Sequence, residues 1–479
     1  MIRSRGSVIT TGLLVVVGVL FVAAACTSEP IAVDVPRDTG LPADTFLTSA
    51  FAEEFPIHFE SYLGNMERGG EYASKLTVDV EPNLPMLWSN LAFSVSYNMP
   101  RGHTFALADV LATPRIGDAS IGSCMTCKST AVPALLAEFG DDYWSASFLG
   151  EIAPRTRELI EGGEMDELGE YGHAGVGCAD CHDPQTMELR ITRPSLTNAL
   201  ERQGVDLLEA SRNDMRSYVC AQCHVEYYFY PETRKVTFPW DRGLRAEDMW
   251  QYKEEVARER GFEADWIHGI SGAPMLKAQH PEYELWSYGA HGTAGVSCAD
   301  CHMPYQRIDG RKVTTHVWGS PLETVEQSCR TCHADQSATD LTERVRGIQE
   351  RHLSAMHEVQ DLSVDAHYYI NRMITAGADP AVIDEARELV RKGQWFWDII
   401  AAENSDGFHN PHGAMDAMRM SSDASNAAIR IATAELVRLG VDLDELRDQI
   451  DRTKQEVYDE PDPLRKHELV TNDFFPFQG

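Results

Sequence analysis

Ten of the eleven cysteines fall into five C-x-x-C pairs, and this spacing constrains the chain more than any other feature of its sequence. Four of the pairs are followed directly by a histidine. In a C-x-x-C-H motif the two thiols attach a haem and the adjoining imidazole ligates its iron, so four haem c groups are predicted. The motifs are Cys178, Cys181 and His182; Cys220, Cys223 and His224; Cys298, Cys301 and His302; and Cys329, Cys332 and His333.

Two other roles for paired cysteines compete with haem attachment. Cysteines of an exported chain can form disulfides, and two C-x-x-C pairs can together hold a zinc ion. Disulfides do not require this spacing. Zinc sites do not require a histidine after every second cysteine, and five pairs would leave one unmatched. Both alternatives, and with them a metal-stabilised structural protein, are disfavoured.

The first pair, Cys124 and Cys127, is followed by Lys128 in place of histidine. An amine ligates iron only in its neutral form, so this position requires a desolvated setting. The alternative is a degenerate motif that binds haem poorly, but both thiols are retained. A fifth haem whose axial ligand differs from that of the other four is the candidate for the haem at which chemistry occurs.

The order of the motifs, one C-x-x-C-K followed by four C-x-x-C-H, resembles that of the pentahaem, ammonia-forming cytochrome c nitrite reductases. The similarity spans most of the chain and includes three further segments. These are Pro100-Arg101-Gly102-His103 with Arg115 twelve residues beyond, Val225-Glu226-Tyr227-Tyr228-Phe229, and Lys277-Ala278-Gln279-His280. The resemblance implies six-electron reduction of nitrite to ammonium at the Lys128 haem, fed by four haems that each have two histidine ligands.

The resemblance also implies a substrate pocket on the Lys128 haem, lined by Arg115, Tyr227 and His280. Arginine keeps its charge, so we assign Arg115 to binding and electrostatics, whereas histidine is the better proton donor near neutral pH. Together with Tyr227, these groups would supply protons and stabilise negative charge as each N–O bond breaks.

One Ca²⁺ ion is implied beside this pocket. Its ligands would be the side chains of Glu226 and Gln279 and the backbone carbonyls of Tyr227 and Lys277. A hard cation prefers such oxygen ligands, and it would hold the loops of Tyr227 and His280 while adding positive charge. Taken alone, Glu226 would be interpreted as a solvated loop carboxylate and Gln279 as part of an ordinary turn.

The distal histidines of the four electron-transfer haems come from the resemblance, because counting histidines does not select them. They would be His316 for the second haem, His103 for the third, His409 for the fourth and His291 for the fifth. Two other histidines lie close in sequence to members of this set. His173 has the alternative of a surface loop, and His412 that of a helix cap near Gly413.

The N-terminus has the pattern of an export signal. A basic start with Arg3 and Arg5, an apolar run and three alanines precede Cys26. We therefore expect residues 1–26 to be a signal and lipobox segment. The mature protein would be exported, periplasmic or on the outer face of the cytoplasmic membrane, and anchored by lipid at Cys26. Plain cleavage near Ala25 and an uncleaved anchor are the alternatives.

The rest of the chain divides by composition into a flexible tether at residues 27–50, a pentahaem catalytic region at 51–340 and a helical region at 341–479. An Ala-Gly-Val stretch precedes both C-A-D-C-H motifs and predicts a repeated haem-binding loop and helix. We predict a mainly α multihaem cytochrome c fold with little β structure. Helical spacing of apolar residues occurs in segments 341–359, 380–403, 413–438 and 443–457.

Four residues of the C-terminal region carry individual predictions. Pro380 and Pro411 suit the first turns of helices, whereas Gly393 and Gly407 are expected to interrupt or terminate them. Amphipathic helices are expected to pack over the haems. In the family resembled, such helices form a homodimer contact.

The formal charge of −32 excludes nucleic acid and an acidic membrane surface as partners. Because the negatively charged protein repels the nitrite anion, nitrite needs a path to the active site that is lined by positively charged residues. The resemblance implies a membrane-anchored tetrahaem quinol dehydrogenase as electron donor. Two competing functions are an electron carrier without nitrite turnover, in which the Lys128 haem has a sixth protein ligand, and a related enzyme that acts mainly on hydroxylamine or sulfite.

Overall fold

Long helices occupy the C-terminal part of the chain, and short helices joined by loops make up the part before it. The computed structural model describes residues 38–70, 73–160 and 174–470. The helices in chain order are α1 Pro56–Arg68, α2 Leu84–Leu87, α3 Ala106–Ala112, α4 Val132–Phe139, α5 Ala153–Ile160, α6 Cys178–Cys181, α7 Pro194–Arg202, α8 Arg212–Ala221, α9 Ala246–Tyr252, α10 Glu282–Ser287, α11 Ala290–Thr293, α12 Cys298–His302, α13 Val325–Ser328, α14 Ala338–Thr375, α15 Pro380–Ala401, α16 Pro411–Arg438, α17 Leu443–Asp459 and α18 Pro463–Glu468.

Regular β structure in the described residues is limited to three antiparallel hairpins of two strands each. Their registers place Tyr228 opposite Thr237, Trp266 opposite Met275, and Tyr305 opposite Thr314. The predicted mainly α fold with little β structure is confirmed. The strands are β1 Tyr228–Phe229, β2 Val236–Thr237, β3 Trp266–Ile267, β4 Pro274–Met275, β5 Tyr305–Ile308 and β6 Arg311–Thr314.

Helices α14, α15 and α16 pack against one another around a buried core that includes Trp395 and Trp397. Three of the four helical segments predicted from apolar spacing agree with α15, α16 and α17 to within two residues. The first prediction, 341–359, ends too early, because α14 continues to Thr375. Beyond Val359 this helix buries polar residues such as Gln360 and His367. These residues form hydrogen bonds only in the folded protein, and they interrupt the apolar spacing from which the helix was predicted.

The glycine and proline predictions for these helices were partly right. Pro380 and Pro411 occupy first turns. Gly393, however, lies inside α15 and interrupts nothing; a Cβ there would lie 2.6 Å from Ser425 Oγ, so glycine permits the close approach of α15 and α16. Gly407, with φ of +78°, follows the end of α15.

The C-terminal bundle holds the segment that leads to His280. His367 of α14 stacks on His268 with ring centroids 3.6 Å apart, and Asn371 donates a 2.7 Å hydrogen bond to the Ile270 carbonyl. From α15, Asp398 accepts hydrogen bonds of 2.9 Å from the Lys277 ammonium and 2.9 Å from the Ala278 amide. The position of this loop is therefore set by helices more than 85 residues away in sequence.

Glu81 is a buried carboxyl group where the N-terminal region meets α14. It is 8% exposed, and Gln360 Nε2 donates to its Oε2 at 3.3 Å. Burial raises the pKa of Glu81 to about 7. The native protein therefore keeps a proton that the unfolded chain has already lost, and stability falls as pH rises from about 4.5 to about 7.

Substituting Glu81→Gln is expected to remove this pH dependence. A shift of this size corresponds to roughly 3 kcal/mol lost by the wild type across the window. The measurement is the melting temperature of the haem-loaded protein between about pH 4.5 and about pH 8. If both proteins lose stability with the same slope, Glu81 is not the group responsible.

Candidate multihaem active site

A cavity of about 2970 Å³ runs through the part of the chain that contains the C-x-x-C motifs. A single drug-sized ligand occupies a pocket of about 300–1,000 Å³, so this space suits several large groups. None of the ten motif cysteines forms a disulfide, none is fully buried, and all line the cavity. These features fit the attachment of several haems. Cys26 lies outside the described residues.

The four C-x-x-C-H motifs share a helical turn. The amide of the motif histidine donates to the carbonyl of the first cysteine at 2.9 Å for His182, 3.0 Å for His224 and 2.9 Å for His333, and His302 is itself the last residue of α12. Residues three and four apart lie on one face of a helix, so both thiols and the imidazole point the same way. At the first motif the Lys128 amide donates to the Met125 carbonyl instead, at 2.8 Å, in a tighter turn.

The two C-A-D-C-H motifs repeat the same local structure. Asp180 accepts a 2.9 Å hydrogen bond from the Gly177 amide, and Asp300 accepts one of 2.9 Å from the Ser297 amide. Each aspartate thereby satisfies an amide at the start of its helix, α6 or α12.

Four histidine pairs meet in the cavity, and each joins a motif histidine to one that is distant in sequence. A metal–imidazole bond is about 2 Å long and the ring centre lies about 1 Å further, so two rings sharing one ion have centroids about 6 Å apart. The observed spacing therefore suits two imidazoles on opposite sides of one iron. The pairs are His182 and His316 at 6.3 Å, His103 and His224 at 6.0 Å, His302 and His409 at 6.2 Å, and His291 and His333 at 6.3 Å.

Several of these rings are oriented through Nδ1. His182 Nδ1 lies 2.8 Å from the Met187 carbonyl, and His302 Nδ1 lies 3.0 Å from that of Gly319. A ring that donates through Nδ1 leaves Nε2 free as a metal ligand. His412 also lines the cavity, but His409 is the residue whose ring contacts His302.

The two alternatives that competed with the distal histidines have different outcomes. His173 lies outside the described residues. His412 does not cap α16, because the side chain of Asn410 accepts the 2.9 Å hydrogen bond from the Gly413 amide.

Lys128 shares the cavity with Arg115, Tyr227 and His280. The charge of Lys128 contributes to lowering the pKa of His280, and that of Arg115 acts on Tyr227. The guanidinium of Arg115 lies 4.2 Å from the centre of the Phe93 ring, and its Nε lies 3.3 Å from Thr113 Oγ1. All four predicted catalytic residues therefore line this one cavity.

Burial governs the protonation of the two uncharged pocket residues. It lowers the pKa of His280 to about 3 and raises that of Tyr227 well above its usual value. Both side chains are therefore neutral at neutral pH. A neutral His280 would offer an N–H group as a hydrogen-bond donor, whereas the simplest expectation for a histidine is an imidazolium.

Three of the four residues predicted to bind calcium contact one another. Glu226 Oε2 accepts the Gln279 amide at 2.6 Å, and Gln279 Nε2 lies 3.2 Å from the Lys277 carbonyl. Sequence reasoning did not select Lys253, which also contacts Glu226. Its Nζ atom lies 3.2 Å from Glu226 Oε1.

Arg193 is a second residue that sequence reasoning missed. Its guanidinium donates to Asp180 Oδ1 at 2.6 Å, to the Ser129 carbonyl at 2.9 Å and to the Thr126 carbonyl at 2.7 Å, so it joins the first and second motifs. Its own amide donates at 3.0 Å to Gln222, which lies inside the third motif. The polar residues between the motif cysteines were the only sequence signal of this network.

Comparison with known proteins agrees with this site. The cytochrome c552 family model matches residues 48–468. The chain is 40% identical over 444 residues to the cytochrome c nitrite reductase subunit NrfA of Nitratidesulfovibrio vulgaris, covering 85% of this chain and 82% of that protein. It is 39% identical over 371 residues to cytochrome c-552 of Desulfotalea psychrophila, covering 74% and 69% respectively.

A solved structure shows the same fold. It is the cytochrome c nitrite reductase of Desulfovibrio desulfuricans, described as having two calcium sites in its catalytic subunit. The TM-score is 0.76 at 36% identity, with 85% of this chain and 91% of that chain covered. The motifs, the cavity and these matches together show that the chain belongs to the cytochrome c552 family.

Proposed function

We propose that this chain is an ammonia-forming nitrite reductase that transfers six electrons to nitrite at a haem c held by Cys124, Cys127 and Lys128. One observation carries the proposal. Four motif histidines each have a histidine partner at the spacing of a shared iron, whereas Lys128 lines the same cavity as Arg115 and His280. The high identity to a nitrite reductase supports the choice of substrate.

Each of the four histidine pairs described above is proposed to ligate one electron-transfer haem. The assignment is His182 with His316, His224 with His103, His302 with His409, and His333 with His291. Its support is the ring spacing of 6.0 Å to 6.3 Å together with the order of the motifs.

When bound, the haems supply the electrons and the iron at which nitrite is reduced. The residues of the chain bind and protonate. Arg115 holds the anion, because its charge is permanent and the rest of the molecule is strongly acidic. His280 and Tyr227 donate hydrogen bonds from neutral groups to the oxygens on which negative charge develops. The protons come from solvent, and growing negative charge on the departing oxygen favours their delivery through His280, whose ring would take up a proton at one nitrogen as it releases one from the other.

The test is electron paramagnetic resonance of the oxidised, haem-loaded protein combined with nitrite turnover. We expect one high-spin iron alongside four low-spin irons, a change in the high-spin signal when nitrite is added, and ammonium as product. Five low-spin irons and no turnover would show that the chain is an electron carrier. Hydroxylamine and sulfite, assayed in the same way, are proposed as secondary substrates.

The partners and location are proposed from the same resemblance. They are a tetrahaem quinol dehydrogenase as electron donor, a homodimer formed through the long C-terminal helices, and export to the periplasm with a lipid anchor at Cys26. The exposed apolar side chains of Met415 and Val437 on α16 support a helix contact between subunits. In the described part of the chain, no helix is long and apolar enough to cross a membrane.

A further inference from the structure

A buried lysine stands where the resemblance implies a calcium ion. Lys253 and Glu226 both have 0% exposed side chains, and Lys253 Nζ lies 3.2 Å from Glu226 Oε1. Within the described residues neither atom makes a hydrogen bond, so the contact is an ion pair. A buried charge is costly unless it is paired, and Glu226 supplies that pair.

Aromatic rings surround the same ammonium group. Lys253 Nζ lies 4.7 Å from the centre of the Tyr228 ring, 5.1 Å from that of Phe262 and 5.7 Å from that of Trp395. Ring faces attract a desolvated cation, so this is an environment built for a lysine. Lys253 also begins a π-helical segment, Lys253–Ala257, directly after α9, and such insertions often occur at functional sites.

Three of the oxygen atoms expected to bind calcium already have a partner. Calcium takes six to eight oxygen ligands. Here Glu226 Oε2 accepts the Gln279 amide, the Lys277 carbonyl accepts from Gln279 Nε2, and Glu226 Oε1 faces the Lys253 ammonium. A divalent cation bound to Glu226 would lie against a second positive charge in a buried space. The residues present therefore do not fit a calcium ion at this position.

We propose that the Lys253 ammonium replaces calcium in this chain as a cation built into the protein. It adds positive charge beside Tyr227 and Tyr228, and it holds Glu226, whose other oxygen binds the residue before His280. Lys253 is thus a positioning residue for the pocket, and this part of the inference rests on the proposed nitrite reductase function.

The first test uses the wild-type, haem-loaded protein. After exhaustive dialysis against a calcium chelator, we expect five irons and no calcium per chain by elemental mass spectrometry. Nitrite turnover and melting temperature should be the same with and without added Ca²⁺. One tightly held calcium per chain, or activity lost on chelation and restored by Ca²⁺, would overturn the proposal.

The second test removes the ammonium. Lys253→Ala should lower kcat/KM for nitrite about 10–100-fold, as loss of an outer-shell partner of a metal site does. The vacated space next to Glu226 should then bind Ca²⁺, so millimolar Ca²⁺ should raise the melting temperature of this variant and restore part of its activity. Lys253→Arg, which keeps the charge, should retain most of the turnover. A Lys253→Ala protein with wild-type nitrite turnover would show that Lys253 does not position the pocket residues.

Lys454 provides the matched control. Its side chain is 8% exposed and pairs with Asp361 and Asp365, whose side chains are 51% and 33% exposed, and none of these three residues lines the cavity. Lys454→Met should lower stability without creating any response to Ca²⁺. If Lys253→Ala fails to fold, the metal content of the wild type still decides the question. A wild type with five irons, no calcium and no nitrite turnover would refute the proposed function while leaving the lysine assignment intact.

Discussion

Replacement of His280 by alanine is expected to lower kcat/KM for nitrite by about 10²–10³-fold, the usual effect of removing one donor from a charge-stabilising pocket. The side chain lies partly exposed in the cavity lining and burial lowers its pKa to about 3, so it would contribute a neutral N–H donor at a fixed place. Its loop is held by Asp398 and Glu226. Steady-state turnover with a strong reductant, at equal haem content, gives the measurement.

A suitable control for this variant is His367→Gln. His367 is 1% exposed and burial also lowers its pKa to about 3, but it lies in α14 against Ser271. His367 supports the segment that leads to His280 but touches no reacting atom, so this variant should lose much less of its kcat/KM than His280→Ala. If His280→Ala retains five haems and wild-type turnover, His280 has no part in the mechanism.

The second large effect concerns Arg193, the buried cation between the first three motifs. Arg193→Met should lower the free energy of unfolding by about 3–5 kcal/mol, because it leaves the carboxylate of Asp180 buried without its partner. Both partners are almost completely buried, with side chains 1% and 5% exposed. Since Arg193 also binds the Thr126 and Ser129 carbonyls on either side of Lys128, the Lys128 haem should be the first to lose its spectroscopic signature.

Thermal melting of the haem-loaded protein, followed by haem absorbance, measures this effect. Arg419→Met is the control, because Arg419 pairs with Asp423 on the exposed face of α16, with side chains 61% and 71% exposed. An exposed pair of this kind contributes little, so the melting temperature should hardly change. Equal melting temperatures of the two variants would show that Arg193 does not stabilise the first three haem-binding motifs.

Sequence reasoning reached the pocket residues through motif resemblance, but it missed the residues that hold them. Lys253 and Asp398 lie in segments without any motif, and each matters only through its contact with Glu226 or Lys277. A charged residue on a helix is normally interpreted as solvent-exposed. Its burial against one particular carboxylate depends on tertiary packing, so no local pattern reveals it.

The calcium site illustrates the same difference between residues that lie in recognisable motifs and residues that only tertiary packing brings to the site. Glu226 and Gln279 fall in segments that match the family, and taken alone these segments favour a metal ion. The ammonium of Lys253 comes from a third segment, which aromatic side chains of two further segments enclose. On our proposal, the presence of these ligand residues in the sequence does not by itself decide whether calcium or Lys253 supplies the positive charge.

The sequence by itself determined where haems attach and that the first attachment carries lysine, because thioether formation and proximal ligation need only five consecutive residues. It also determined the helical C-terminal region, since apolar spacing is a local property. Only the tertiary structure decided which histidine meets each motif: His182 meets His316, 134 residues away. The physical reason is that a second histidine ligand and a buried ion pair each require two residues that are distant in sequence to lie side by side. Their proximity depends on the packing of the whole fold.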